Sequence, residues 1–429
     1  MRSTSRQRVT SAALRIGAAA GLVLATGGSL GMQQATAASS GHCRPTISSR
    51  FLGTFSDAPY HGKKPVFQYT LASCHGMKVK LLTYGAIQQS ITVPGRNGKE
   101  ANVILGFRTL ADYMKKVSPP PPLGGPYFGE TVGRYANRIA KGTFTLKQHG
   151  VRHTYTLPIN NGVNALHGGF VGFGNHIWTA KKLPSTRHSV GVAMTIVSPN
   201  GDEGSRFEPS CHCTGYPGKL TLTVAFVLTT RNQLIMHYHA TVKGANTVIN
   251  VTNHDYFNLA GEASGTVYQQ KVQINANRYT PTDKTQIPTG AVVPVAGTPF
   301  DFRAPHTIGS RINENNRQLL ISQGYDHNWV LNKSGPTRDG LRLAARAWDP
   351  RSGRKLTVWT DQPGVQFYSG NFLNGTLVGT SGHIYRQSDG YMLETQHFPN
   401  SPNQPSFPST ELRPGQQFNS TTIYQFSTF

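Results

Sequence analysis

This sequence predicts an all-β protein, a large twisted β-sandwich, and three observations support that reading. Glycine (46) and proline (27) are abundant while stretches of helical periodicity are few. Apolar residues alternate with Thr, Ser and His in many short runs, as half-buried strands require. No crossover helices separate these runs, so the sheets must cover one another face to face.

The clearest run is KLTLTVAFVLTT, in which Leu220, Leu222, Val224, Phe226 and Leu228 share one face. Arg231, Asn232 and Gln233 turn the chain, and LIMHYHATV returns. VKLLTYGA, GVAMTIV, NTVINVTNH, KLTVWT and GVQFYSG read as further strands. Helical signals occur only near Thr109 to Lys116 and Ile308 to Ser322. The proline-rich stretches Ser118 to Pro126 and Phe398 to Pro408 are too short for interdomain linkers and read as ordered loops.

Residues 1–37 read as a secretory signal peptide. Arg2, Arg6 and Arg8 precede an apolar stretch from Ala12 to Leu30, broken by Arg15 and glycines, and Ala35-Thr36-Ala37 offers a cleavage site. Residues 38–429 are then expected to form a single secreted domain with no stable membrane insertion, because nothing later is long and apolar enough to span a bilayer. The chain carries a formal charge of +23, and removal of the leader's four arginines leaves +19. The basic residues are scattered, with only pairs such as Lys63-Lys64, Lys115-Lys116 and Lys181-Lys182, which argues against a nucleic-acid partner. Cys43, Cys74, Cys211 and Cys213 are even in number and point to disulfides outside the cytoplasm. Three pairings are open; Cys43 with Cys74 and Cys211 with Cys213 is favoured. The alternative for Cys211-His212-Cys213, half of a metal site, lacks a second cysteine pair to complete it.

NVTNHDYFNLAG, from Asn250 to Gly261, raises the first chemical question. If the run from Asn246 is one regular strand, His254 and Tyr256 face one way and Asp255 and Phe257 the other, with the more apolar face opposite His254. An isolated histidine of this kind is usually structural. GRYANRI, NALHGG, GYDHNWVL and MLETQHFPNSPNQPSFPSTELRPG share its mixture of charged, imidazole, glycine and aromatic residues. His176, His188, His237 and His239 belong to no such stretch and read as structural.

Taken in order with TYGAIQQSITVPGRNGKEANVILGF and QPGVQFYSGNFL, these stretches resemble the aldose 1-epimerases, or galactose mutarotases, across nearly the whole chain after the leader. The resemblance implies an isomerase that interconverts the α and β anomers of a free aldohexose such as glucose or galactose, without cofactor or metal, on a small-molecule aldose as its partner. A monomer is the favoured state. Ring opening needs a proton taken from the anomeric hydroxyl and one given to the ring oxygen, so a base and an acid are expected on different sides of the sugar ring. By similarity, Glu394 would be the base, His254 the acid and His167 an assisting group near the ring oxygen. Asn137, Arg138, Tyr256, Asp326 and Gln366 would bind the sugar, with Arg134, Phe257 and Trp329 shaping the wall.

Two features depart from the family pattern. SRFEPSCHCT, Ser205 to Thr214, separates SPNGDEG from GYPGKL as an inserted loop, and Asp255 stands where relatives often carry a small hydroxyl residue. Three other readings compete: a sandwich retained only for carbohydrate binding, which needs no acid–base pair; a glycosidase or lyase; and an epimerase of phosphorylated sugars, against which no phosphate-cradling glycine loop is evident. A glycosidase needs two carboxylates about 5–10 Å apart across the scissile bond.

Overall fold

The computed structural model describes residues 43–57, 62–116, 125–206 and 209–429. The expected leader and its cleavage site, with most of the first proline-rich stretch, lie outside the described residues. Short strands dominate, as the alternation predicts. Helical signals resolve into Leu110–Lys116 and Arg317–Ser322, with a single 3₁₀ turn at Ile308–Ser310.

Three sheets make up most of the fold. Thr46–Ser56, Lys63–Ala72, Lys78–Leu82, Ile87–Pro94 and Glu100–Asn102 form an antiparallel meander in chain order. A ten-stranded sheet runs from Thr179–Lys182 through Ser189–Ser198, Lys219–Thr229 and Gln233–Lys243 to the C-terminal strand Gln417–Thr428, then on to Arg354–Thr360 and Leu341–Trp348. The third sheet orders Val293–Pro294, Ala276–Thr280, Asp326–Leu331, Gly364–Tyr368 and Met392–Gln396. One buried apolar cluster takes Leu71 and Val79 from the meander, Leu222 and Val224 from the large sheet, and Trp329 and Phe367 from the third. The sandwich follows from that shared core. Along Lys219–Thr229 burial alternates as the sequence demands, with Leu220, Leu222, Val224, Phe226 and Leu228 fully enclosed.

The run NTVINVTNH is not one strand. It divides into Thr247–Val248 and Thr252–Asn253, because Asn250 between them is captured from both sides. Its Nδ2 donates to the Ala136 carbonyl at 3.1 Å, and its Oδ1 accepts from the His397 N–H at 3.0 Å. Asp255 nevertheless turns away from His254, accepting from Gln88 Nε2 at 2.8 Å.

Both expected disulfides form: Cys43 is bonded to Cys74 and Cys211 to Cys213, which removes the thiolates a metal site would need. Among the described residues no helix is long and apolar enough to cross a membrane.

Arg134, expected in the sugar-pocket wall, is instead an internal tie. Its guanidinium donates to the carbonyls of Pro217 and Gly218 at 2.9 and 3.0 Å and to Thr247 Oγ1 at 3.1 Å, and it also reaches Ser198. It is fully buried, and Asp202 lies 4.0 Å away. Arg134→Met should therefore destabilise the fold by about 3–5 kcal/mol, by stranding buried acceptors and Asp202. Urea denaturation reads the loss, and a raised KM with unchanged stability would return Arg134 to the pocket.

Candidate active site

Cross-strand pairing assembles the centre of the site. In the third sheet Glu394 pairs with Gln366, Gln366 with Asn328, and Asp326 with Tyr368. Paired residues, and residues two apart on a strand, share a face. Asp326, Tyr368, Gln366, Met392 and Glu394 therefore project together from one side. Trp329, Phe367 and Leu393 occupy the other side, in the core. That parity corrects the expected place of Trp329, three residues from Asp326 and hence on the opposite face. Phe257, one residue beyond Tyr256, is likewise enclosed in the core rather than in the pocket wall.

Two loops bring the imidazoles to this face. His254 is held through its backbone, its N–H donating to the Glu130 carbonyl at 3.0 Å and its carbonyl accepting from Gly129 N–H at 2.9 Å. His167 follows the short strand Ala165–Leu166 and has a left-handed backbone, φ +49°. The Asn137 N–H donates to His167 Nδ1 at 3.2 Å, while the His167 N–H donates to the Asn137 carbonyl at 3.1 Å. The two imidazole rings meet edge to face, 4.8 Å between centroids, and Tyr127 packs against both.

Glu394 Oε1 lies 3.9 Å from His254 Nε2, and both side chains are almost wholly buried. Burial pushes the Glu394 carboxyl well above the usual range, with Asp326 adding to the rise and Arg138 opposing it. Burial also lowers the His254 imidazole to about 3, against the carbonyls of Tyr127 and His254, which favour its protonated form. His167 is lowered well below the ordinary value by burial, then by His254 and Arg138. Burial thus works against an isolated charge on Glu394 and on either imidazole.

Asp326 and Arg138 form the polar floor. Their charged groups stand 3.8 Å apart, and Gln366 Nε2 donates to Asp326 Oδ1 at 2.7 Å. Burial raises the Asp326 carboxyl, opposed by Arg138 and by the Gln366 hydrogen bond. Arg138 also donates to Asn161 Oδ1 at 2.9 Å and to Gln286. Gln366, expected against a sugar hydroxyl, stands behind Asp326 and beside Glu394 on the same sheet face, with its Oε1 buried and without a hydrogen-bond partner.

The remaining expected residues, His167, His254, Glu394, Asn137, Arg138, Tyr256 and Asp326, all line one cavity of about 630 Å³. Sequence reading missed Tyr127, Asn160, Asn161, Gln286, Tyr368 and Met392 on its walls. Strand parity could have found two of them, since Tyr368 lies two residues after Gln366 and Met392 two before Glu394. Gln286 arrives on a distant loop and carried no signal.

His167, His254 and Glu394 each bring a potential ligand atom within 4.8 Å of the others. The donor chemistry does not suit a cation. Because the Asn137 N–H occupies His167 Nδ1, the neutral ring carries its proton on Nε2, and that nitrogen presents a hydrogen-bond donor rather than a metal ligand.

Residues 68–425 match the family described as aldose 1-epimerase. Galactose mutarotase of Sus scrofa is 41% identical over 87% of this chain and 97% of its own length, and aldose 1-epimerase of Escherichia coli K12 is 36% identical over 85% and 96%. Among solved structures, galactose 1-epimerase from Lactobacillus acidophilus superposes with a TM-score of 0.71 at 28% identity, covering 89% of this chain and 99% of that one. An aldose epimerase homologue from C. elegans gives 0.70 at 28%, with the same coverage. With Glu394, His254 and His167 gathered in one cavity by the sheet and loops described above, and with these matches over most of its length, the chain belongs to the aldose 1-epimerase family.

Proposed function

We propose that the protein is an aldose 1-epimerase that interconverts the α and β anomers of free aldohexoses such as glucose and galactose. The observation that carries the assignment is the 3.9 Å between Glu394 Oε1 and His254 Nε2. The ring oxygen and the anomeric hydroxyl oxygen are bonded to the same carbon, C1. Two groups this close can each reach one of them within hydrogen-bond distance, about 2.6–3.2 Å. In this reading the acid and base act at one corner of the sugar, each on its own oxygen of C1. A glycosidase's two carboxylates span a glycosidic bond instead, and here the second acid, Asp326, is committed to Arg138 and Gln366.

In the proposed sequence, Glu394 as carboxylate takes the anomeric proton while His254 as imidazolium gives one to the ring oxygen, and the C1–ring-oxygen bond breaks. Rotation about C1–C2 presents the other aldehyde face. Closure returns both protons, Glu394 to the anomeric oxygen and His254 taking back its own. His167, with its proton on Nε2, donates to the oxygens where charge changes. Asp326 and Arg138 hold the remaining hydroxyls, which both donate and accept. After opening, Glu394 is neutral and His254 is neutral, the direction in which burial pushes both groups. The pair holds one proton throughout and only its location changes. A pure carbohydrate-binding module has no use for that proton.

Polarimetry of freshly dissolved α-D-glucose and α-D-galactose tests the assignment. The protein should speed the approach to the same final rotation, and Glu394→Gln or His254→Asn should each lower kcat by about 10²–10⁴-fold. Sugar binding at a wild-type rate equal to the spontaneous one would leave only recognition.

The pH profile has a defined sign. Loss of the shared proton removes the acid at high pH, but the raised Glu394 carboxyl delays that loss. Gain of a second proton removes the base at low pH, but burial holds the His254 imidazole down, near 3. After subtraction of the spontaneous reaction, kcat/KM should stay flat through the ordinary histidine range, about pH 6–7, and fall only well to either side of it. A single descending limb centred near about pH 6.5, an ordinary histidine's value, would contradict the shared-proton account.

We further propose that the protein is secreted with cleavage after Ala37, supported by the basic start, apolar stretch and Ala35-Thr36-Ala37. N-terminal sequencing of protein recovered from the medium should begin at Ala38. Recovery of intact chain from the cytoplasm alone would end this proposal.

A further inference from the structure

Strands hold Glu394 and Asp326, but His167 stands at the start of a loop whose backbone has no ladder to satisfy it. After His167 the chain passes through Gly168 at φ +101° and Gly169 at φ +132°, and the N–H groups of residues 170–172 point inward. Buried donors of this kind need acceptors. Glu203 supplies them from a separate segment. Its Oε2 accepts from Phe170 N–H at 2.8 Å, its Oε1 from Gly172 N–H at 2.7 Å, and Val171 N–H reaches both oxygens at 3.2 and 3.3 Å. Three successive amides converging on one carboxylate form a backbone nest.

We propose that Glu203 is a positioning residue for His167: by capping the three amides behind it, Glu203 fixes where the imidazole points over the sugar. The inference rests on the mutarotase reading and deepens it.

The surroundings are built for this contact. Glu203 is 3% exposed and is not part of the cavity lining, so its influence must pass through the loop. A Cβ on Gly169 would sit 2.3 Å from Glu203 Oε2, so only glycine at that position lets the carboxylate reach the amides. Glu203 itself is left-handed, φ +64°, and its N–H is held by Asp202 Oδ1 at 3.1 Å. Asp202 is anchored in turn by Ser198 and by the Tyr216 N–H, which donates to its carbonyl at 2.7 Å. Just beyond, Ser205 donates through N–H and hydroxyl to the Cys213 carbonyl at 2.9 and 3.0 Å. These bonds close the inserted, disulfide-bonded segment on itself two residues after Glu203. On the other side of the loop, Asn160 Nδ2 donates to the carbonyls of Leu166 and Gly169 at 2.9 and 2.6 Å. The backbone flanking His167 is thus held by the Asn160 amide on one side and the Glu203 carboxylate on the other, and of the two only Asn160 lines the cavity.

A double-mutant cycle separates positioning from mere loop support. Glu203→Gln is isosteric but turns an amide NH₂ toward N–H donors, so kcat should fall by about 10- to 100-fold, with KM within about twofold of wild type. In a His167→Asn background the same change should cost less than about twofold, because its effect passes through the missing imidazole. Thermal unfolding of each variant confirms that folded protein is being measured, and Glu203→Asp carries the same comparison if the glutamine variant does not fold. Equal losses in both backgrounds, or a wild-type kcat in folded Glu203→Gln, would overturn the role of Glu203 alone. No acceleration by the wild-type protein would instead remove the mutarotase reading on which it rests.

Discussion

The antiparallel register among Asp326–Leu331, Gly364–Tyr368 and Met392–Gln396 is the constraint on which the chemistry depends. It sets Glu394 beside Gln366 and Asp326 beside Tyr368 on one face, while Trp329, Phe367 and Leu393 lock the other face into the core. A slip of one residue would exchange the two sets, burying carboxylates in the sandwich and exposing the aromatics. The apolar side thus specifies the position of the polar side. Stability and site geometry come from the same strands.

That face is dry, and dryness decides the electrostatics. Lone carboxylates and imidazoliums are disfavoured away from water, so Glu394 rises and His254 falls. Moving one proton between them leaves the net charge of the pair unchanged, so a reaction built on that movement avoids creating an isolated buried charge. Asp326 is treated differently, with Arg138 and Gln366 both opposing the effect of burial. Two acids on one sheet face thereby take different tasks. The acid shortage of the chain, 19 against 42 basic residues, makes each buried carboxylate informative, and Glu203, which is not part of the site cavity's lining, is explained by the amides it caps.

The all-β sandwich was legible because alternation has a direct physical cause: residues two apart share a face, and one face must leave water. Lys219–Thr229 shows this without exception. The broken strand at 246–254 shows the limit, since Asn250 was captured by the carbonyl of Ala136 and the N–H of His397, groups far away in the chain. Arg134, Phe257 and Trp329 were expected in the pocket wall by resemblance to the family; strand parity and an internal network placed them elsewhere.

By itself the sequence determined the fold class, the family motifs and most of the residues that meet in the cavity, because residue type and spacing carry burial pattern and chemical capacity locally. Only the tertiary structure decided that Glu394 and His254 stand 3.9 Å apart, that Gln366 donates to Asp326, and that Glu203 caps the amides of the loop after His167. Those facts depend on contacts between segments tens to hundreds of residues apart. Distances, protonation preferences and the direction of a side chain are set by what folds against it, and no local pattern encodes that.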